Sequence, residues 1–200
     1  MPDAAVITAD IVNSTQLTKT QEKKLFQQLE TVINPNKFEF YRGDSFQVYM
    51  KEPDETLKLL LKLRLEARKL GSAFDIRASI GIGEVNLPVK KLSVATGEAF
   101  VLSGRGMDEL AKGSERKMLI HSSGKNDSSI LEVTSLFIDY IFREMTSKQA
   151  RVLSLLLDGA TQMAVAKKIR KSQSTIHQHV QSSGWSELTK LLAIYQQLYK

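Results

Sequence analysis

The 200-residue chain contains no cysteine and no continuous apolar run of about 18 residues. The absence of cysteine excludes disulfides and thiolate metal sites, and the absence of a long apolar run excludes a transmembrane helix. Its 42% apolar and 25% charged residues are typical of a soluble globular protein. No basic segment precedes the first short apolar stretch, so we expect a cytoplasmic protein whose N-terminus forms a strand rather than a signal peptide.

Histidine is also scarce. His177 and His179 stand two residues apart on one predicted helix, although helical metal ligands need a spacing of four. His121 stands alone at the end of a predicted strand. We therefore expect no histidine metal site.

The net charge of +6 is concentrated at one end of the chain. Residues 1–145 carry equal numbers of basic and acidic side chains, whereas residues 146–200 carry eight basic and two acidic ones. This asymmetry is typical of a polyanion-binding segment attached to a neutral body. Charge alone is equally compatible with a solvated pair of basic helices.

Apolar periodicity predicts elements in the order βαββαβ, followed by a helix, a strand and a helix. The first strands are predicted at residues 4–12, 38–41, 45–51 and 74–85, and the first helices at 15–33 and 53–70. This order favours an α/β (α+β) fold, a ferredoxin-like sandwich in which the first and third strands are antiparallel neighbours. Asp10 then lies close to Asp44.

Two carboxylates at adjacent strand ends form a candidate site for a divalent cation, Mg²⁺ or Mn²⁺, because hard cations prefer oxygen ligands. Asn13, Ser14 and Thr15 follow Asp10 directly and open a predicted helix, whose free backbone N–H groups suit a phosphate. The alternative is that both aspartates are turn and cap residues, which aspartate commonly supplies.

Four stretches, ADIVNST, RGDSF, IRASIGIGEV and TGEAFVLSGRGMDEL, resemble class III nucleotidyl cyclases in matching order over residues 4–121. The resemblance implies that Asp10 and Asp44 hold two metal ions, with the carbonyl of Ile11 as a further ligand. It also implies a nucleotide ligand near Gly43 of the hairpin. Arg105 matches the arginine that stabilises the phosphates.

The resemblance further implies that the site forms across a homodimer, on an open sheet face bearing Arg77, Ser79, Gly81 and Gly83. The bare glycines there would let a ligand or partner backbone approach closely.

Three positions depart from the cyclase pattern. Val101 replaces the catalytic asparagine, Phe40 replaces the base-selecting lysine, and Val94 stands where its partner aspartate is expected. Each lost donor typically costs about 10²–10³ in rate. We therefore expect a divergent, inactive cyclase-like domain that senses a metal or nucleotide, rather than an active cyclase.

The last 55 residues predict four short helices. Thr146 and Ser172 are N-cap candidates, and Gly159 ends the first helix. The third helix has few apolar residues and follows a cluster of cations, so its polar face suits base edges and phosphates. The predicted DNA-contacting residues are Lys167, Lys168, Arg170, Lys171, Ser172, Gln173, Ser174, Thr175, His177, Gln178 and Gln181.

The stretches TSKQARVLSLLLDG, VAKKI and KSQSTIHQHV resemble, without a gap, the helix-turn-helix of LuxR-type regulators and of sigma-factor region four. Arg170 stands where that motif usually has a turn glycine, which predicts a different turn or a strained one. The resemblance implies binding to double-stranded DNA. The alternative is a helical appendage that serves dimerisation or clamps the front domain.

The whole architecture resembles the SatD family of bacterial proteins. It predicts a cyclase-like domain over residues 1–127, a linker helix over 128–145 and a DNA-binding domain over 146–200. The favoured function is a transcription regulator. The alternatives are an active metal-dependent nucleotidyl cyclase or nucleotide transferase with a regulatory tail, and a protein-interaction module.

Overall fold

The structure is a computed structural model that describes residues 3–41, 43–113, 115–124 and 128–200. Its strands are β1 (Ala4–Val12), β2 (Lys37–Tyr41), β3 (Ser45–Met50), β4 (Asp75–Gly83) and β5 (Met118–Ser122). Its first four helices are α1 (Lys19–Ile33), α2 (Thr56–Arg68), α3 (Glu98–Ala111) and α4 (Ser128–Glu144). The remaining helices are α5 (Ser147–Leu157), α6 (Gln162–Ile169), α7 (Gln173–Gln181) and α8 (Trp185–Leu198).

The five strands form one mixed sheet in the order β2-β3-β1-β4-β5. All neighbours are antiparallel except β4 and β5, which are parallel and joined through α3. The predicted α/β class and the antiparallel pairing of the first and third strands are confirmed. Because β1 lies at the centre, its residues are paired with β3 on one side and with β4 on the other.

Alternation along β1 divides the sheet into two buried faces. Ala5, Ile7 and Ile11 point into the larger core, which α1 and α2 cover. Ala4 and Val6 point into a smaller cluster with Ala99 of α3. The sheet is therefore covered by helices on both sides.

Helix α1 begins later than residue 15, where the sequence pattern predicted its start. Residues Ser14–Gln16 form a 3₁₀ turn, and Thr18 then caps α1 through a capping box with Gln21. The capping box satisfies the free N–H groups of the first turn, which sets the start of the helix at Lys19. The N-terminal end of the α-helical dipole therefore lies several residues beyond Asn13.

A buried group of charges joins α2, β4 and α4. Arg64 of α2 is 1% exposed and donates to both carboxylate oxygens of Asp75 and to Asp139 Oδ1 at 2.7–2.9 Å. Its guanidinium also lies 4.1 Å from the ring centre of Phe142. Burial by itself lowers the pKa of Arg64, but the two carboxylates outweigh it and raise that pKa, so the guanidinium stays charged.

The C-terminal helices share the larger hydrophobic core with the sheet. Val152 and Leu153 of α5 and Val165 of α6 belong to the same buried cluster as the α2 leucines. Lys62 of α2 donates to the carbonyl and hydroxyl oxygens of Ser154 at 2.9 Å, and Ser154 donates to Glu66 at 2.7 Å. The predicted boundary at residue 146 thus falls within a continuous core.

Among the described residues, no helix has both the length and the apolar character needed to cross a bilayer.

Replacing Asp139 with alanine should lower the free energy of unfolding by about 3–5 kcal/mol, because it leaves Arg64 buried with one carboxylate fewer. The measurement is chemical denaturation. The control is Asp108→Ala on the exposed side of α3, which should stay within about 0.5 kcal/mol of wild type. Equal stabilities of the two variants would contradict a central role for the buried charges.

Candidate functional site

The end of β1 brings the predicted acidic residues together. Asp10 is in register with Ser45 of β3 and with Arg77 of β4. The Ile11 amide donates to the Asp44 carbonyl oxygen at 3.2 Å. A cavity of about 360 Å³ lies at this edge, lined by Asp10, Ile11, Val12, Asn13, Ser14, Thr15, Asp44, Arg77 and Lys117. Gly43 does not line the cavity and forms the hairpin turn at φ +83°.

Arg77 forms an ion pair with the carboxylate of Asp10. Its Nε donates to Oδ1 at 3.1 Å and its Nη2 donates to Oδ2 at 2.5 Å, which makes a two-pronged ion pair. The hydrogen bond to Asp10, with the negative charges of Asp10 and Asp44, raises the pKa of Arg77 against the opposing effect of burial. A cation that uses Asp10 as a ligand must therefore compete with Arg77.

Asp44 has a different set of neighbours. The Ser14 hydroxyl donates to Asp44 Oδ2 at 2.5 Å, which links the hairpin to the segment after β1. Asn13 adopts the left-handed conformation at φ 58°, and its side-chain amide donates to the Ala73 carbonyl at 2.7 Å. The first hydrogen bonds of the 3₁₀ turn come from Gln16 and Leu17, so the amides of Ser14 and Thr15 precede them.

Two carboxylates and neighbouring hydroxyl oxygens suit a hard cation such as Mg²⁺, which is often held by one or two carboxylates and substrate phosphates. Within the described ranges, no group of three or more histidine or acidic residues could hold a metal. A cation bound here would therefore need oxygen ligands from a phosphate or from water. Asp10 and Asp44 would hold it, with the Ile11 carbonyl as the further predicted ligand.

The residues that the cyclase pattern assigns to the substrate do not gather at this cavity. Arg105 is exposed on α3 and is not among the residues that line it. Phe40 packs among aromatic rings, with centroids 5.2 Å from those of Phe26 and Phe46. Val101 and Val94 are 48% and 73% exposed. Within this chain the acidic half of the predicted site is assembled without the substrate-binding half.

The expectation of an open face on β4 was wrong. Ser79, Gly81 and Gly83 are buried, because α3 of the same chain lies over them. A Cβ on Gly81 would overlap the Ala99 carbonyl oxygen and the Ser103 amide nitrogen. The glycine backbone of β4, which was expected to contact a ligand or a partner, contacts α3 instead.

Substituting alanine at Gly81 should destabilise the fold by about 1–3 kcal/mol, because the methyl group would push α3 off the sheet. Gly104, inside the same helix, has no atom within 4 Å of an added Cβ, so Gly104→Ala should stabilise by up to about 1 kcal/mol. Thermal unfolding of both variants makes the comparison. A neutral Gly81→Ala would mean that α3 does not press on β4.

A second candidate surface lies on α6 and α7. Ser172 caps α7, and its hydroxyl accepts from the Thr175 amide at 3.1 Å. Ile176 and Val180 are buried. The predicted DNA-contacting residues of α6, α7 and the turn between them are exposed, except Thr175, which is half-buried. Ser172 and Thr175 also share a hydroxyl contact at 2.8 Å, so both hydroxyls have local partners.

The turn between α6 and α7 keeps the left-handed conformation that favours glycine. Arg170 has φ 56° and ψ 50°, at a cost of about 1–2 kcal/mol for a residue with a Cβ. The Lys171 amide donates to the Ala166 carbonyl at 3.0 Å, which closes the end of α6. Arg170 in place of the usual glycine therefore does not lengthen the turn, and it adds a positive charge there.

Lys168 stands apart from the other three cations. It lines an open cleft of about 980 Å³ between α1, α2 and the C-terminal helices, with acidic residues that include Glu52, Glu66 and Asp158. The positive charge of Lys168 is therefore partly offset by these carboxylates.

Comparisons with known proteins give little similarity. No protein-family model and no curated protein matches the chain. Two solved structures of a bacterial light-regulated adenylyl cyclase are similar at 13% and 14% identity, with TM-scores of 0.40 and 0.38. Each match covers 60% of this chain, and 75% and 42% of the respective structures. TM-scores below 0.5 do not establish a shared fold.

Sequence reasoning did not predict how two cations are arranged at the acidic cavity. The cyclase resemblance placed Arg77 on the sheet face that builds the site but did not pair it with Asp10, and no pattern singled out Lys117. The register of β1 with β4 pairs Asp10 with Arg77, and the antiparallel order of a ferredoxin-like sheet contains that signal. Lys117 comes near only through the parallel strand β5, which lies outside the βαββαβ unit.

Proposed function

We propose that this protein is a DNA-binding transcription regulator whose C-terminal helices contact double-stranded DNA. One observation carries the proposal: α7 buries Ile176 and Val180 and exposes polar side chains beside a group of exposed cations. A three-residue connection joins α6 to α7, which is the length of a helix-turn-helix turn. In such motifs the second helix enters the major groove.

Charge supports the same surface. The excess positive charge of the chain lies in residues 146–200, and Lys167, Arg170 and Lys171 expose it at the entry to α7. Cations at that position neutralise phosphates, and glutamine side chains such as Gln178 can bond bidentately to adenine edges. The opposite side of the tail is packed on α2, which leaves the polar face of α7 exposed.

The sheet domain takes a separate part in this proposal. Asp10 and Asp44 form the metal- or nucleotide-sensing site, and the continuous core with α5 and α6 couples that domain to the tail. The link from Lys62 and Glu66 to Ser154 joins the two parts directly.

Lys171→Ala should weaken DNA binding about equally on all sequences and reduce the slope of log affinity against log salt by about 1, because one phosphate contact is lost. Wild-type affinity should fall roughly a hundredfold between 50 and 200 mM salt if about four cations contact phosphates. Fluorescence anisotropy on genomic fragments measures both quantities. Lys23→Ala, an exposed cation of α1, is the matched control and should change neither.

Two further variants separate charge from geometry and from base contacts. Arg170→Gly keeps the left-handed turn while it removes a cation, so it should reduce the salt slope and raise stability. Gln178→Ala should relax sequence preference and leave the salt slope unchanged. Absence of any salt-sensitive binding at low ionic strength would end the proposal.

A second candidate function is metal-dependent nucleotide binding or turnover at the acidic cavity. It is favoured by the convergence of Asp10 and Asp44 at one edge of the sheet. The ion pair of Arg77 with Asp10 opposes it. Removing the Asp44 carboxylate and removing the Arg77 guanidinium should therefore change the affinity for a metal ion in opposite directions.

Asp44→Asn should weaken Mn²⁺ binding by at least about tenfold through the loss of a charged ligand. Arg77→Met should strengthen it roughly fivefold, since it frees Asp10 from a partly exposed ion pair worth about 1 kcal/mol. Titration of the protein with Mn²⁺ by electron paramagnetic resonance measures the affinities, with Asp108→Asn as control. Equal Mn²⁺ affinities of wild type and Asp44→Asn would contradict metal binding at this cavity. Equal product yields of the two proteins from nucleoside triphosphates would contradict turnover there.

A further inference from the structure

Helix α4 is apolar on two faces. Its inner face packs into the core through Leu131, Ile138 and Phe142. Its outer face exposes large apolar side chains: Ile130 at 47%, Val133 at 64%, Leu136 at 47%, Phe137 at 40% and Tyr140 at 60%. We call these five residues the α4 stripe. Scattered exposed hydrophobic residues are ordinary, but a contiguous row on one helix marks an interaction surface.

The spacing of the α4 stripe is that of a helix-pairing seam. Ile130, Val133, Phe137 and Tyr140 follow one another at intervals of three, four and three residues, as a and d positions do in a coiled coil. Leu136 lies beside the seam. The chemistry that fits such a row is another amphipathic helix packed along it.

Charge indicates where a second copy of this chain can dock. The α4 stripe contains no ionisable side chain with a charge at neutral pH, and residues 1–145 have no net charge. Two copies therefore meet there without electrostatic repulsion. The exposed apolar residues of the tail, Met163, Ile194 and Leu198, lie instead on the segment that carries the whole positive excess.

We propose that the α4 stripe is a homodimer interface in which α4 pairs antiparallel with α4 of a second copy. Antiparallel seams place each a residue opposite a d residue. Val133 then faces Phe137 of the second copy, and Ile130 faces Tyr140 of the second copy. Each large ring meets a smaller β-branched side chain, whereas a parallel pair would stack large on large and small on small.

The size of the stripe fits a dimer of modest affinity. A fully covered aromatic residue buries about 150–250 Å² and the three aliphatic residues somewhat less, so the five partly exposed residues present roughly 400 Å² of apolar surface. A standard interface covers about 800 Å² on each partner, of which the centre is apolar and the rim polar. The α4 stripe therefore supplies the apolar centre, with Arg143, Ser129 and their neighbours at the rim.

This pairing has a geometric consequence for the tail. The antiparallel register is centred near Ser135, and α4 ends at Glu144, nine residues further on. At 1.5 Å per residue the two copies of Glu144 stand about 27 Å apart along the pair. Helix α5 begins three residues later, so the two tails start from opposite ends of the helix pair.

The absence of cysteine makes disulfide cross-linking a direct test. Purified Val133→Cys and Phe137→Cys proteins are mixed and oxidised, and the linked peptides are identified by mass spectrometry. We expect an intermolecular disulfide between positions 133 and 137 in the mixture and little linkage in either protein alone. Val94→Cys, at another exposed valine, mixed with Phe137→Cys is the matched control and should not link.

The oligomeric state gives an independent measurement. Wild type should shift from monomer to dimer with increasing concentration by analytical ultracentrifugation. Tyr140→Glu should weaken that association at least about a hundredfold, because it buries a charge in the seam. Val94→Glu should dimerise like wild type, and circular dichroism should show both variants folded.

Several results would overturn the proposal. A wild-type protein that remains monomeric up to about 100 μM would show that the stripe has another occupant, since a specific interface of this size binds at micromolar concentration or tighter. Dimerisation unchanged in Tyr140→Glu would place the interface elsewhere. Efficient linkage within each single-cysteine protein would show parallel pairing. None of these outcomes depends on whether the tail binds DNA.

Discussion

The buried ion pairs of Arg64 with Asp75 and Asp139 are the interaction on which the rest of this structure depends. Asp75 begins β4, two residues before Arg77, so the anchor of that strand also sets the partner of Asp10. Asp139 Oδ2 also accepts from the amides of Lys117 and Met118 at 2.8 and 3.2 Å, which joins α4 to the start of β5. A buried guanidinium needs all its acceptors, because an uncompensated charge is far more costly than a paired one. The same buried ion pairs therefore fix both β4, which lines the acidic cavity through Arg77, and α4, which leads into the tail.

Charge is distributed by position in the fold as well as along the chain. In the sheet domain, acidic and basic side chains neutralise one another, as Asp10 and Arg77 do at the cavity. On α6 and α7 the cations are exposed, and Arg170 even occupies a backbone conformation that favours glycine. This separation of a neutral, self-paired body from an unneutralised basic surface is the physical basis of the proposed polyanion binding by the tail.

Much of the local structure was predictable because it depends on neighbours in sequence. Alternation in residues 74–85 and the caps at Thr146 and Ser172 predicted elements that the structure contains, and both capping side chains accept hydrogen bonds from backbone amides. The start of α1 was misplaced because the capping box at Thr18 outweighs the apolar periodicity that begins earlier. The glycines of β4 were recognised as places of close approach, but the pattern could not show which backbone approaches. Only the packing of α3 over Gly81 answers that.

The sequence by itself determined the strand order around Asp10 and Asp44, the helix ends of the tail and the segregation of charge, since each follows from periodicity, capping or composition. Tertiary structure decided that Arg77 engages Asp10, that Arg105 stays away from the cavity, and that the tail shares a core with α2. It also decided which side of α4 is left uncovered. These contacts join residues far apart in the chain, and their geometry depends on how whole elements pack, which no local pattern encodes.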